Sequence, residues 1–298
     1  MTRINGSSCL RELLSRPGMI LSLGAHDVFT ALIIQQMGFE TVFVGGFGTS
    51  ASLLGLPDLN FLAMNEMSEV VGRMTRRLSI PVIADGDTGH GDLHNVQRTV
   101  ESFESVGAAG IIIEDQVTPK RCGHFQKKEV ISTSEMESKI AAAVSARLDS
   151  DFVIIARTDA RQMNGFDDAI DRVNRYCEAG ADVAFVEAPE SVQELEEIPR
   201  RVNHPLLINV LTGGVTPILT VQELEQLNYK IAVCPIESLM VTGGVVKKLC
   251  EVLVSEGRVD RLASDEMSFS ELKELLGLNK YLSLSDSLKQ RSIPEKSN

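Results

Sequence analysis

The sequence predicts a closed α/β barrel of eight parallel strands, a (β/α)8 fold, on three observations. Eight short, almost continuously apolar runs recur along the chain, amphipathic stretches of helical period separate them, and no Pro-, Gly- or Ser-rich linker interrupts the series. A strand covered on both faces reads as an unbroken apolar run, and a barrel of about 250 residues folds as one unit. The 298 residues are therefore read as one domain, 1–298, with 265–298 a helical tail beyond the eighth unit.

Taken in order, the strands are expected at 19–23, 41–45, 81–85, 110–114, 152–157, 183–187, 206–209 and 231–234. Between them Val96, Val100, Phe103 and Val106 repeat every three or four residues, as do Phe166, Ile170, Val173 and Cys177, so each helix carries one buried stripe. Capping boxes are expected from Ser132 to Glu135, Ser191 to Glu194 and Thr220 to Glu223, where a hydroxyl satisfies a free N–H of the first turn. Gly38, Gly107 and Gly180 each precede a strand by two or three residues, as left-handed helix C-caps do. The tail, with Phe269, Leu272, Leu275 and Leu276, reads as helical and is expected to pack on a neighbouring subunit.

Composition narrows the function classes. The formal charge is −12, with no long run of Lys or Arg, which disfavours a nucleic-acid or anionic-membrane surface. No segment approaches the ~18 apolar residues of a membrane span, and the first ten residues lack a signal-peptide core. Five scattered cysteines without CxxC spacing point to a reducing compartment, so a cytoplasmic location is expected. No GxGxxG, P-loop or GxSxG element is present.

In such a barrel the chemistry sits on the loops that follow the carboxyl ends of the strands. Those positions here carry His26-Asp27, the Gly45-Gly46 turn, Asp85 and Asp87, Glu114-Asp115, Arg157 with Asp159, Glu187, Asn209 and the turn before Pro235. Any one of them alone reads as a helix cap or a solvated loop charge; six strands doing so together point to a site. Alternate residues leaving one strand place Asp85 and Asp87 on the same side, and Glu114 comes from the next strand. Hard oxygen donors suit Mg²⁺, or Mn²⁺, better than zinc, because no His/Cys set has ligand spacing. The bland alternative is a structural salt-bridge network in which Arg157 or Lys120 relieves the repulsion. Cys122, flanked by Lys120, Arg121 and His124, has the cationic surroundings that depress a thiol pKa. Gly213-Gly214, after Asn209, offers backbone N–H groups to a carboxylate.

Gly55-Leu56-Pro57-Asp58, Asp85-x-Asp87, Glu114-Asp115-Gln116, Lys120-Arg121-Cys122-Gly123-His124 and Ala156-Arg157-Thr158-Asp159-Ala160 together resemble the isocitrate lyase/phosphoenolpyruvate mutase superfamily. The likeness runs from about Ile20 to Gln290, and the Lys-Arg-Cys-Gly-His element is similar to the lyase branch and also to carboxyphosphonoenolpyruvate phosphonomutase. The resemblance implies Mg²⁺ held by Asp85 and Asp87 with Asp58 and Glu114 in support. It implies a substrate carboxylate clamped by Arg157, and Cys122 as general acid tuned by Lys120 and His124. The pocket would be lined by Gly45, Gly46, Phe47, Gly123, Glu187, Asn209, Gly213 and Pro235. It further implies a homotetramer that exchanges its last helix between subunits.

Two departures bear on substrate. Methylisocitrate lyases usually have serine where this chain has Gly45, and arginines after the turn at Pro235 and in the C-terminal helix where this chain has none. A third carboxylate would then be poorly paired, and an unpaired buried charge is expensive. The expected activity is Mg²⁺-dependent cleavage of a substituted 2-hydroxy dicarboxylate, of the dimethylmalate or methylisocitrate kind, into an α-keto acid and a carboxylate. The alternatives are a phosphonomutase or an oxaloacetate decarboxylase or hydrolase on the same scaffold, and a non-catalytic metabolite-binding barrel.

Overall fold

A computed structural model describes residues 5–121, 123, 128–262 and 266–291. They fall into two compact units, 1–241 and 242–298. The first is a closed barrel whose strands run in chain order: β1 (Ile20–Gly24), β2 (Thr41–Val44), β3 (Val82–Asp85), β4 (Gly110–Glu114), β5 (Val153–Thr158), β6 (Val183–Val186), β7 (Leu206–Asn209) and β8 (Ile231–Cys234). Every neighbouring pair is parallel, and β8 closes on β1 with Ile20 opposite Ile231. Each expected strand is present with its ends within one residue.

All three helix N-caps are present, and of the three expected capping boxes the one from Thr220 to Glu223 closes from both sides among the described residues. Ser132, Ser191 and Thr220 accept hydrogen bonds from the backbone N–H groups of Glu135, Glu194 and Glu223. Gly38, Gly107 and Gly180 have φ of 87°, 92° and 112°, the left-handed region that reverses the chain into the next strand. Among the elements not foreseen are the short helices Gly46–Thr49 and Ala160–Asn164 and one before the barrel. The helix Gly6–Ser15 precedes β1, capped by the Asn5 side chain, and buries Leu10 and Leu13 against barrel residues that include Ile20, Phe43, Ile83 and Ile112. Its two-leucine stripe is too short to stand out as periodicity.

The second unit contains the helices Phe269–Leu275 and Leu278–Arg291, as the tail composition predicts. Tyr281, Leu282, Leu284 and Leu288 of the last helix are each more than half exposed. Among the described residues no helix is long and apolar enough to cross a membrane.

Candidate active site

Strand alternation sorts the side chains at the carboxyl end of the barrel. At the end of β4, Glu114 turns toward the cavity, while its neighbour Asp115 turns outward. Asp115 accepts from Thr158 Oγ1 at 2.6 Å, Tyr176 Oη at 2.8 Å, Arg172 Nη1 at 3.2 Å and the Asp159 N–H at 2.9 Å. It is therefore a buried anchor that locks the β5 end, not a site residue.

The turn after β3 sets the two aspartates. Asp87 takes φ 49°, which folds the chain back so that its N–H donates to Asp85 Oδ1 at 3.0 Å. The Gly46 N–H donates to Asp85 Oδ2 at 3.1 Å. A Cβ at Gly46 would lie 3.1 Å from Lys120 Nζ and 3.3 Å from both Asp85 Oδ2 and Asp87 Oδ1, so the β2 turn packs tightly on this charged cluster. Asp58 arrives on the loop after the π-helical turn Ser50–Leu54, tied down by Ser50 Oγ donating to Leu56 O at 3.0 Å.

Lys120, 3% exposed, lies 2.8 Å from Asp58 Oδ1 and 2.7 Å from Asp87 Oδ1. Burial works against its charge, but Asp87, Asp85, Glu114 and Asp58 outweigh it and hold the ammonium well above the usual lysine range. Burial pushes the Glu114 carboxyl well above the ordinary range, against the pull of Arg157.

Arg157 leaves β5 with Nε and Nη2 on the two oxygens of Asp159 at 2.8 and 3.0 Å, Nη1 3.3 Å from Glu187 Oε2, and its guanidinium 5.4 Å from the Phe185 ring centroid. Asn209 Nδ2 donates to Glu187 Oε2 at 3.1 Å, which links β7 to the same cluster. Lys128, with a fully buried side chain, donates to Asp159 Oδ1 at 2.7 Å and to the Gly123 carbonyl. A Cβ at Gly123 would fall 2.3 Å from Arg157 Nη2, so the segment after β4 rests directly on the arginine.

These groups surround one cavity at the carboxyl end of the barrel. Of the residues singled out from sequence, Gly45, Gly46, Phe47, Asp58, Asp85, Glu114, Lys120, Gly123, Arg157, Glu187, Asn209 and Pro235 line it, and Asp87 stands behind Lys120. Gly213 does not. It occupies an exposed turn at φ 79°, beyond the lining, because the chain after β7 runs outward past Leu211. Cys122 and His124 lie outside the described residues. Sequence reading missed Phe43, Leu211 and Ile236, which line the cavity, and Lys128, whose place in a Lys-Lys-Glu run reads as a solvated charge.

The donor set fits a hard divalent cation. Six carboxylates (Asp58, Asp85, Asp87, Glu114, Asp159, Glu187) face Lys120, Lys128, Arg157 and the rim residue Arg121, an excess of negative charge in a buried place. Glu114 Oε1 is buried with no hydrogen-bond partner among the described residues. Also among the described residues, no three acidic, His or Cys side chains close on one point. An open set of oxygen donors suits Mg²⁺, which takes one or two carboxylates and keeps its waters. The salt-bridge network expected as the bland alternative is present, but it does not balance the acids.

Residues 10–253 match the family described as phosphoenolpyruvate phosphomutase. The chain belongs to the phosphoenolpyruvate mutase/isocitrate lyase superfamily. It is an enzyme of the lyase branch of that superfamily, 42% identical over 277 residues to a 2,3-dimethylmalate lyase of Eubacterium barkeri, with 93% of this chain and 96% of that protein covered. A 2-methylisocitrate lyase of Aeropyrum pernix is 40% identical, with 91% and 87% covered. Among solved structures, an oxaloacetate acetylhydrolase in complex with 3,3-difluorooxalacetate superposes with a TM-score of 0.91 at 32% identity, covering 96% of this chain and 97% of the other. A 2,3-dimethylmalate lyase superposes at 0.90 and 30% identity, with 99% of each chain covered.

Proposed function

We propose that the chain is a Mg²⁺-dependent carbon–carbon lyase that cleaves a substituted 2-hydroxy dicarboxylate of the 2,3-dimethylmalate kind into an α-keto acid and a carboxylate. The observation that carries this reading is the division of one cavity between an oxygen-donor wall and the Arg157 fork. Such a division offers one carboxylate of a short diacid the cation and the other the guanidinium. Asp85 and Asp87 would hold the ion, directly or through water, with Asp58 and Glu114 in support. Bound there, Mg²⁺ would draw charge from the substrate carboxylate and 2-oxygen.

The protein's own groups then act as follows. Arg157, fixed by Asp159 and Glu187, presents its remaining N–H groups to the second carboxylate as a charge-assisted fork. Gly45, Gly46 and Phe47 bring the β2 turn against the substrate. As the 2-hydroxyl gives its proton to a base, C2 becomes a carbonyl, and the C2–C3 electron pair passes to C3, delocalised into the adjacent carboxylate. Cys122 would return a proton to C3, with Lys120 and His124 tuning it, a contribution of about 10²- to 10⁴-fold. Arg121 and Gly123, on either side of Cys122, border the cavity. The wall from β7 and β8 adds no cation, which favours a dicarboxylate over a tricarboxylate.

We further infer one catalytic domain over 1–298 with 265–298 as its tail, acting in the cytoplasm as a homotetramer in which the exposed apolar stripe of the last helix is covered by another copy. Sedimentation of the purified chain reads that assembly directly. The function is tested by screening the protein with Mg²⁺ against 2,3-dimethylmalate, methylisocitrate and oxaloacetate for α-keto acid release, with and without EDTA. Keto acid from dimethylmalate that EDTA abolishes is the expected result. Loss of oxaloacetate to oxalate and acetate, with no keto acid released from the other two, would replace the lyase by the reaction of the structurally similar acetylhydrolase.

A further inference from the structure

The cavity is two-sided in a way that the charge network alone does not explain. The arc built by β3 to β6 carries Asp85, Glu114, Lys120, Arg157 and Glu187, whereas the arc built by β7, β8 and β2 carries Leu211, Pro235, Ile236, Phe43 and Phe47. β1, between β8 and β2, adds no side chain, because a Cβ at Gly24 would fall 1.9 Å from the Pro235 carbonyl oxygen. The arc is therefore mainly apolar, interrupted by Asn209 at the end of β7 and bordered by Asp58 on the segment after β2.

Its centre is a stack between Phe43 of β2 and the residue just past the end of that strand. Residues two apart point to the same face, so Gly45 stands over Phe43. A Cβ at Gly45 would lie 2.7 Å from Cε1 and 3.2 Å from Cζ of that ring. Gly45 has φ −97° and ψ 153°, an extended conformation open to any residue. Glycine is therefore not needed there for backbone freedom. It is needed for the space that the ring occupies.

We propose that the Phe43–Gly45 stack is a specificity determinant: it turns the β2 wall into a bare aromatic face that, with Leu211, Pro235 and Ile236, receives an alkyl branch on the substrate. This deepens, and rests on, the reading of the cavity as a diacid site. The carboxylates lie against the charged arc, and a methyl group on either carbon between them faces the ring. A side chain at position 45 would push the ring from this place or cover it. One methylene in an apolar pocket discriminates by about 10- to 200-fold, so the wall is expected to favour methylated over plain diacids by at least about tenfold.

The test uses calorimetric binding of succinate and 2,3-dimethylsuccinate, which lack the 2-hydroxyl and are not cleaved, to the full chain in excess Mg²⁺. The unaltered protein should bind the dimethyl diacid at least about tenfold more tightly. Gly45→Ala should remove most of that preference, and combining it with Phe43→Leu should restore part by making room for the new methyl. Leu211→Asn, at the half-exposed rim and away from the barrel interior, should lower the preference without depending on how the strand tolerates change. Equal affinity of the unaltered protein for both ligands overturns the proposal, as does an equal loss for both ligands in Gly45→Ala or Leu211→Asn. Turnover of 2,3-dimethylmalate, measured in parallel, separates the two ideas. Discrimination without turnover removes the lyase and keeps the wall, while turnover without discrimination removes the wall alone.

Discussion

At the scale of single residues, burial decides which groups can react. Burial, helped by Asp182 and Glu178, pushes the Cys177 thiol up to about 12, and burial with Glu237 pushes Cys234 up to about 11. The thiolate is the nucleophile, so iodoacetamide at pH 8 should label exposed Cys250 well before either, as peptide mass mapping would show. Asp159 behaves oppositely. Burial alone would raise its pKa, but Arg157 and Lys128 hold it below the ordinary aspartate value of 3.8. A depressed carboxyl contributes stability above its unfolded value and loses it as the pH falls through the folded one. Asp159→Asn should therefore cost about 3–5 kcal/mol at pH 7, the cost of breaking a buried pair. The gap between the variant and the unaltered protein should begin to narrow below pH 4 and close only as the pH falls through the depressed folded value, so urea midpoints should differ less at pH 3 than at pH 7 without coinciding.

At the scale of elements, the chain after the last strand packs directly against the end of the first. Gly24→Ala would drive its methyl into the Pro235 carbonyl, backbone against side chain, with no flexible group to yield. Overpacking of this kind costs about 1–3 kcal/mol, and the change should appear as a lower urea midpoint together with weaker diacid binding. The eight strands, the caps and the glycine stops were legible because each is a local pattern of period and turn chemistry. The acids and Arg157 were legible because alternation at a strand end puts polar residues where a buried run should continue. Phe43, Leu211 and Ile236 were not, because three apolar residues from β2 and from the loops after β7 and β8 form a wall only once the barrel closes. Lys128 hid for the opposite reason: only the fold shows that its charge meets Asp159 rather than water. Gly213 looked like an anion cradle by composition, and the path of its turn takes it elsewhere.

At the scale of the whole molecule, the excess of acids around one cavity ties stability to cation binding. A ligand that binds only the folded state stabilises it by RT ln(1 + [L]/Kd), about 2.7 kcal/mol at a hundredfold excess over Kd. Added Mg²⁺ should therefore raise the melting temperature by a few degrees in a scanning fluorimetry titration, and Na⁺ at matched ionic strength should not. Replacing Asp85 and Asp87 by Asn should flatten that response. The burial of the lysines around the cavity has a consequence of another kind. Lys120 is 3% exposed and Lys128 5%, whereas Arg121 is exposed and borders the cavity mouth. Trypsin needs a basic side chain that can swing out into its own recognition cleft, so of these three peptide bonds only the one after Arg121 offers it a foothold. A single nick there would give two fragments of known mass, and its slowing by added diacid would turn proteolysis into a direct gauge of how full the barrel is.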